Sequence, residues 1–153
     1  MYKNFKEDIV KMNTMFKLPV QSAITIDQDL DIKVFKFHTI LTEEVDELLD
    51  IADSITYDNA PREPLATLDH YVQLADLLGD VIIYCMSEAL KHGIPIDDVL
   101  KAIMESQWSK LGETGEVIKD VNGKFLKGPN YKPPEEAIKR ILEIYIAQSN
   151  IRE

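Results

Sequence analysis

The chain has 153 residues, of which 45% are apolar and 29% charged, with a formal net charge of −10. This length and composition predict one soluble globular domain able to bury a core. The acidic balance, with no basic patch, argues against nucleic acid and anionic membranes as partners, and the longest strongly apolar uncharged run, Val81 to Ser87, is far too short to span a bilayer.

Cys85 is the single cysteine, so no disulfide framework and no cysteine-based zinc site can form. Residues Met1 to Asp8 lack the apolar run of a signal peptide, and the expected location is the cytoplasm. Phe5, Ile9, Met12 and Phe16 recur at helical spacing and predict a short amphipathic helix that ends at Leu18-Pro19-Val20. A polar connection rich in aspartate follows to residue 31. A second helix is expected from about Ile32 to Ser54–Tyr57, and Asp58 to Pro64 reads as a loop from its asparagine and two prolines.

The third helix is expected from Ala66-Thr67 to Lys91 or His92, with Gly93 as its stop. It is apolar on nearly every side, as in a helix buried in a bundle or at an oligomer interface. One line breaks the pattern: Asp69, Gln73, Asp76, Asp80 and Ser87 fall on one face. Pro95 opens a fourth helix with Asp97 and Asp98 in its first turn, ending near Lys110. Its apolar face contains Val99, Ile103 and the Met104/Trp108 pair. Between residues 111 and 131, Asn122-Gly123 flanked by two short apolar segments signals a hairpin. Pro133 and Pro134 open a fifth helix with Ala137, Ile141, Leu142, Tyr145 and Ile146 as its inner positions. The expected fold is an all-α bundle of about five helices with a short β-hairpin or loop insertion near the C-terminus.

The second helix concentrates acid. At about 100° per residue, Leu41, Val45, Leu48, Ala52 and Ile55 form the expected core face, Glu43 and Glu47 point away from it, and Glu44 sits at the border. Ile40, Glu44, Glu47 and Ile51 make a second stripe, in which isoleucines bracket two carboxylates. A Glu-rich face is ordinarily a solvated surface. Here it coincides with an acidic line on an otherwise apolar helix, which favours a shared site. Carboxylates gathered between low-dielectric helices must be protonated, paired with a base or joined by a divalent cation. Lys33 and Lys36 lie at the helix start, about two turns or more away. Oxygen-only ligands select Mg²⁺ or Mn²⁺ over zinc.

Other chemistries find no support. A di-iron bundle needs Glu-x-x-His, but Phe35, Thr67 and Ala89 precede His38, His70 and His92 by three residues. No Walker-type loop or Gly-x-Ser-x-Gly elbow is present. Cys85, in an apolar mid-helix setting, reads as a buried inert thiol.

Glu43-Glu44-x-x-Glu47, then Gln73-x-x-Asp76 with Asp80, Ser106 to Gly112, and Lys127-Gly128-Pro129-Asn130-Tyr131-x-Pro133 together resemble the all-α nucleoside triphosphate pyrophosphohydrolases, the MazG and phosphoribosyl-ATP pyrophosphohydrolase-like superfamily. The resemblance spans roughly residues 33–135 of a single MazG-like domain, residues 1–153. It implies hydrolysis of an NTP or dNTP to the monophosphate and pyrophosphate, with Mg²⁺, or Mn²⁺ in its place, as cofactor. Glu43, Glu44, Glu47 and Asp76 would hold the metal, with Gln73 and Asp80 as further candidates. Glu44 and Glu47 would be catalytic, Glu44 by orienting or deprotonating the attacking water.

Lys110 and Lys127, with Lys124, are implied phosphate contacts. Asn130 and Tyr131 would line the base or sugar pocket. Trp108 would stack on a base or pack in the core. The all-apolar third helix implies a homodimer or dimer of dimers, since a five-helix monomer struggles to cover it. Two positions depart from the family pattern. Gln73 stands where that pattern has an acid, so the site loses one negative ligand, for which Asp69 or Asp80 could compensate. Gln107-Trp108 stands where an asparagine and a Phe or Met are expected. A nucleotide-binding or sensing module without hydrolysis is the alternative.

Overall fold

Five helices account for the secondary structure of the computed structural model, which describes residues 2–24, 26–56 and 66–150. They are α1 (Phe5–Met15), α2 (Leu30–Thr56), α3 (Leu68–Lys91), α4 (Ile96–Trp108) and α5 (Glu135–Asn150). The loop expected over 58–64 lies outside the described residues. No strand occurs among them. The expected hairpin is a tight turn closed by one isolated antiparallel bridge, Lys119 to Phe125. No helix among the described residues is long and apolar enough to cross a membrane.

Backbone contacts divide the chain into two compact units, Met1–Pro19 with Ile26–Glu88, and Val20–Thr25 with Ala89–Glu153. In the first, α1 buries Phe5, Ile9 and Asn13. It closes in a Schellman arrangement: Leu18 N–H donates to Asn13 O at 2.8 Å and Lys17 N–H to Thr14 O at 3.1 Å. Lys17 takes the left-handed conformation (φ 58°) that glycine usually supplies there. The aspartates before α2 order the turn that leads into it. Asp29 N–H donates to Asp27 Oδ1 at 2.9 Å, Lys33 pairs with Asp27, and Asp31 lies in the positive first turn. This local order starts α2 two residues before the apolar period does. At α3, His70 Nδ1 accepts the Thr67 N–H at 2.9 Å, one of the two bonds of a capping box, with histidine in the place of glutamate.

Asn13 is fully buried. Its Nδ2 donates to Ser87 O at 3.4 Å, and Ser87 Oγ donates to Asn13 Oδ1 at 2.7 Å. The last member of the polar line on α3 therefore belongs to a structural lock with α1.

In the second unit, α3 ends on a second Schellman arrangement. Ile94 N–H donates to Ala89 O and Gly93 N–H to Leu90 O, with Gly93 at φ 65°. A Cβ on Gly93 would also meet Ala23 O at 2.2 Å. Helix α5 packs on α4, where Tyr145 Oη donates to Asp98 Oδ2 at 2.8 Å.

Asn13→Ala removes the buried acceptor of the Ser87 hydroxyl and a donor to the Ser87 carbonyl. It should lower unfolding free energy by about 1–3 kcal/mol in denaturant titration, with Ser87→Ala costing less. Equal melting of Asn13→Ala and the parent chain would show that the lock is dispensable.

Candidate functional site

Helix α2 is long enough to carry Glu43, Glu44, Glu47 and Asp50 through two turns, and α3 carries Gln73, Asp76 and Asp80 at matching intervals. Glu47, Asp50 and Ile51 from α2 and Gln73, Asp76, Leu77 and Asp80 from α3 wall a cavity of about 210 Å³. Among the described residues Glu44 is the one buried acid, 8% exposed. Burial raises its carboxyl above the ordinary carboxylate range, and the charges of Glu47, Asp80, Glu43 and Asp76 raise it further. The structure thus brings four of the sequence-selected acids to bear on Glu44.

The orientation of α2 differs from the expected one. Val45 and Leu48, placed on the core face, are 56% and 44% exposed, while Glu44 turns inward between half-buried Ile40 and Ile51. A helical wheel ranks residues by angle, but it does not say which side a neighbour covers. Asp69, one turn before Gln73, is exposed and does not line the cavity, whereas Asp80 does. Lys33 is engaged by Asp27 at the start of α2.

Two residues escaped the sequence reading. Asp50 lines the cavity and lies three residues beyond Glu47, so its helical spacing was a usable signal. The second is Tyr84 of α3, whose ring gives it an apolar character in sequence. Burial raises its phenol, and the charges of Glu44, Asp80, Glu47 and Glu43 add to the shift. It lies four residues after Asp80, on the same helical line. Cys85, expected to be buried, is exposed, although partial desolvation still holds its thiol above the usual range.

The donor set suits a hard cation: the walls supply carboxylate and amide oxygens, and the charges that shift Glu44 are all carboxylates. Among the described residues, no group of three or more His, Cys, Asp or Glu side chains is arranged to hold a metal ion.

The residues selected for substrate contacts belong to the second unit. Lys110 Nζ donates to Gln107 Oε1 at 2.7 Å, and Lys110 O accepts the Gly128 N–H at 2.9 Å. Gly128 is required there, because a Cβ would stand 2.1 Å from Leu111 O. That bond ties Lys110 to the turn carrying Lys127, Asn130 and Tyr131, where Lys127 Nζ lies 4.3 Å over the Tyr131 ring. Asn130 is exposed. Lys124 is fixed by its backbone N–H to Asp120 Oδ1 at 2.9 Å. Trp108 is 64% exposed, so its core alternative does not hold.

No protein-family model and no curated protein matches the sequence. Among 17 matching chains of solved structures is the crystal structure of a "putative NTP pyrophosphohydrolase" from Exiguobacterium sp. 255-15. It aligns with a TM-score of 0.53 at 18% identity, covering 97% of this chain and 99% of the other. The shared property is the all-helical fold.

Glu44 gives the site a measurable pH signature. Its folded pKa is raised, so the native state holds the proton more tightly than the unfolded chain. Stability falls as pH rises from the ordinary glutamate range through the raised folded value. Without divalent cations, Glu44→Gln should melt about a few °C higher than the parent at neutral pH. The difference should close in acid, where Glu44 is protonated. A pH-independent difference would remove the electrostatic origin.

Proposed function

We propose that the chain is a Mg²⁺-dependent nucleoside triphosphate pyrophosphohydrolase, converting an NTP or dNTP and water to the monophosphate and pyrophosphate. The observation that carries this reading is the buried Glu44 under the combined charge of acids from two helices. The likeness of fold to a structure described as an enzyme of this class supports it. Glu43, Glu44, Glu47 and Asp76 are the assigned metal-holding residues, with Gln73 and Asp80 beside them. Bound Mg²⁺ would supply charge neutralisation at the triphosphate and activation of water, and Mn²⁺ could do the same.

The chain's own contribution centres on Glu44. A carboxylate whose proton affinity is raised is a better general base near neutrality than an ordinary one. Glu44 accepts the water proton in this scheme, and Glu47 keeps it oriented. Lys110, Lys127 and Lys124 are assigned to phosphate oxygens, and Asn130, Tyr131 and Trp108 to the sugar or base.

Gln73 favours a second reading, a nucleotide-binding or sensing module without hydrolysis. It lines the acidic cavity with an uncharged amide, which offers an oxygen but no negative charge. Self-association accompanies either reading. Val34, Phe35, Val45, Leu48 and Leu49 on α2, and Tyr71, Val72, Leu78 and Ile82 on α3, leave apolar area exposed on the single chain.

With Mg²⁺, a panel of NTPs and dNTPs should include at least one that releases pyrophosphate. Glu44→Gln should cut that turnover by about 10²–10⁴-fold. Saturable binding by calorimetry without product would establish the sensing alternative. Sedimentation should give a mass of at least twice the 17.5 kDa of one chain, reduced by Val45→Asp with Leu48→Asp; a monomer at micromolar concentration would exclude the homodimer.

A further inference from the structure

Asn122-Gly123 forms the turn of the second unit, and neither the acidic cavity nor the assigned substrate contacts use it. The chain has six asparagines, and Asn122 is the one followed by glycine. The structure leaves this pair open. Residues 121–127 are exposed, Val121 completely so. The Asn122 side chain makes no hydrogen bond among the described residues, while its backbone N–H donates to Asp120 Oδ1 at 2.9 Å. Gly123 has φ 81°, and a Cβ there would meet nothing within 4 Å, so no group hinders approach to its nitrogen. Asn13, by contrast, is fully buried with both ends of its amide engaged. From these features we propose that Asn122 is a site of spontaneous deamidation through the Gly123 nitrogen, and that the product opens the turn beside Phe125.

Water is the only co-reactant. The Gly123 N–H gives its proton to base, and the nitrogen attacks Asn122 Cγ. The new C–N bond closes a cyclic imide, the Cγ–Nδ2 bond breaks, and Nδ2 leaves as ammonia. Water then opens the imide at either carbonyl. One opening gives aspartate. The other gives isoaspartate, in which the side-chain carbon joins the main chain. Before attack, Gly123 N–H must leave Asp120 O, which it meets at 3.0 Å. Little opposes that step, because the turn is exposed and its two flanks share one isolated bridge, Lys119 to Phe125. Exposed backbone bonds outside a ladder open locally at low cost.

The consequence follows from where the turn is tied. Lys124 N–H donates to Asp120 Oδ1 at 2.9 Å, and Asp120 N–H donates to Lys124 O at 2.9 Å. Both bonds span the Asn122–Gly123 link, so the extra main-chain carbon of isoaspartate displaces Lys124 from Asp120. Phe125 and Leu126 come next in the chain, and with Trp108 they wall a cavity of about 250 Å³. Trp108 is the only tryptophan, so its emission reports on the change.

Full-length protein is aged at physiological temperature in mildly alkaline buffer, folded and in denaturant, then digested with trypsin, which releases Asp120–Lys124 as one peptide. The folded sample should accumulate the aspartate and isoaspartate forms of this peptide, ahead of any change at Asn13 or Asn130 and faster than in mildly acidic buffer. Asn122→Gln, an exposed change checked by circular dichroism, should lose the modification. Trp108 emission should shift with isoaspartate content in the aged parent and stay fixed in aged Asn122→Gln. An unconverted peptide from the folded sample overturns the inference, and conversion in denaturant alone would locate the protection in the folded turn. Unchanged Trp108 emission in a converted sample overturns it as well, by showing that the turn withstands the modification.

Discussion

The burial of Glu44 among like charges is the constraint on which the first unit depends. A carboxylate removed from water costs free energy, and each neighbouring acid adds to that cost. The arrangement persists because other parts of the unit fix the helices. Asp27 and Asp29 organise the start of α2, the Thr67–His70 box starts α3, and the Asn13–Ser87 lock secures α3 to α1. None of these contacts uses an acid of the cavity. The stability that the acids cost is therefore offset elsewhere in the unit.

The second unit solves a different problem, that of giving form to a glycine-rich segment without strands. Here the order comes from backbone bonds to the end of α4. Gly128 N–H reaches Lys110 O, and Lys132 N–H reaches Ser109 Oγ at 2.9 Å. These two bonds hold the Lys127–Tyr131 turn against the helix end. They also explain why a segment with one isolated bridge can present its lysines and aromatics in a defined order.

Much of this was legible in the residues. Helix boundaries followed the apolar period and the Gly and Pro signals to within about two residues, and all five inner positions predicted for α5 are half-buried. The acidic half-motifs also pointed to residues that share one electrostatic environment. Failures arose where sequence pattern says nothing about neighbours. Val45 and Leu48 have the right angular spacing for a core, but among the described residues no element covers them. Trp108 and Cys85 are apolar in character and exposed in place, for the same reason. The hairpin signal at Asn122-Gly123 correctly marked the turn. The segments beside it form a single bridge, because the backbone groups nearer α4 bond to the helix end instead of to each other.

Asp50 bears on the weakness that Gln73 introduces. A glutamate at 73 would give the cavity wall another full charge and push the proton affinity of Glu44 higher still. With glutamine there, the wall keeps an oxygen donor at that point but adds no repulsion. Asp50 supplies a carboxylate on the facing helix, so four acids still line the cavity: Glu47, Asp50, Asp76 and Asp80. The negative charge is thereby redistributed towards the C-terminal end of α2, in a cavity whose volume of about 210 Å³ can contain several waters. Mg²⁺ dehydrates reluctantly and commonly retains waters in its shell. Among the described residues no three acids are arranged to hold an ion directly, which is compatible with that preference. With Gln73 and Asp50 both on its wall, the cavity has oxygen donors on each helix while the charge beside Glu44 stays limited.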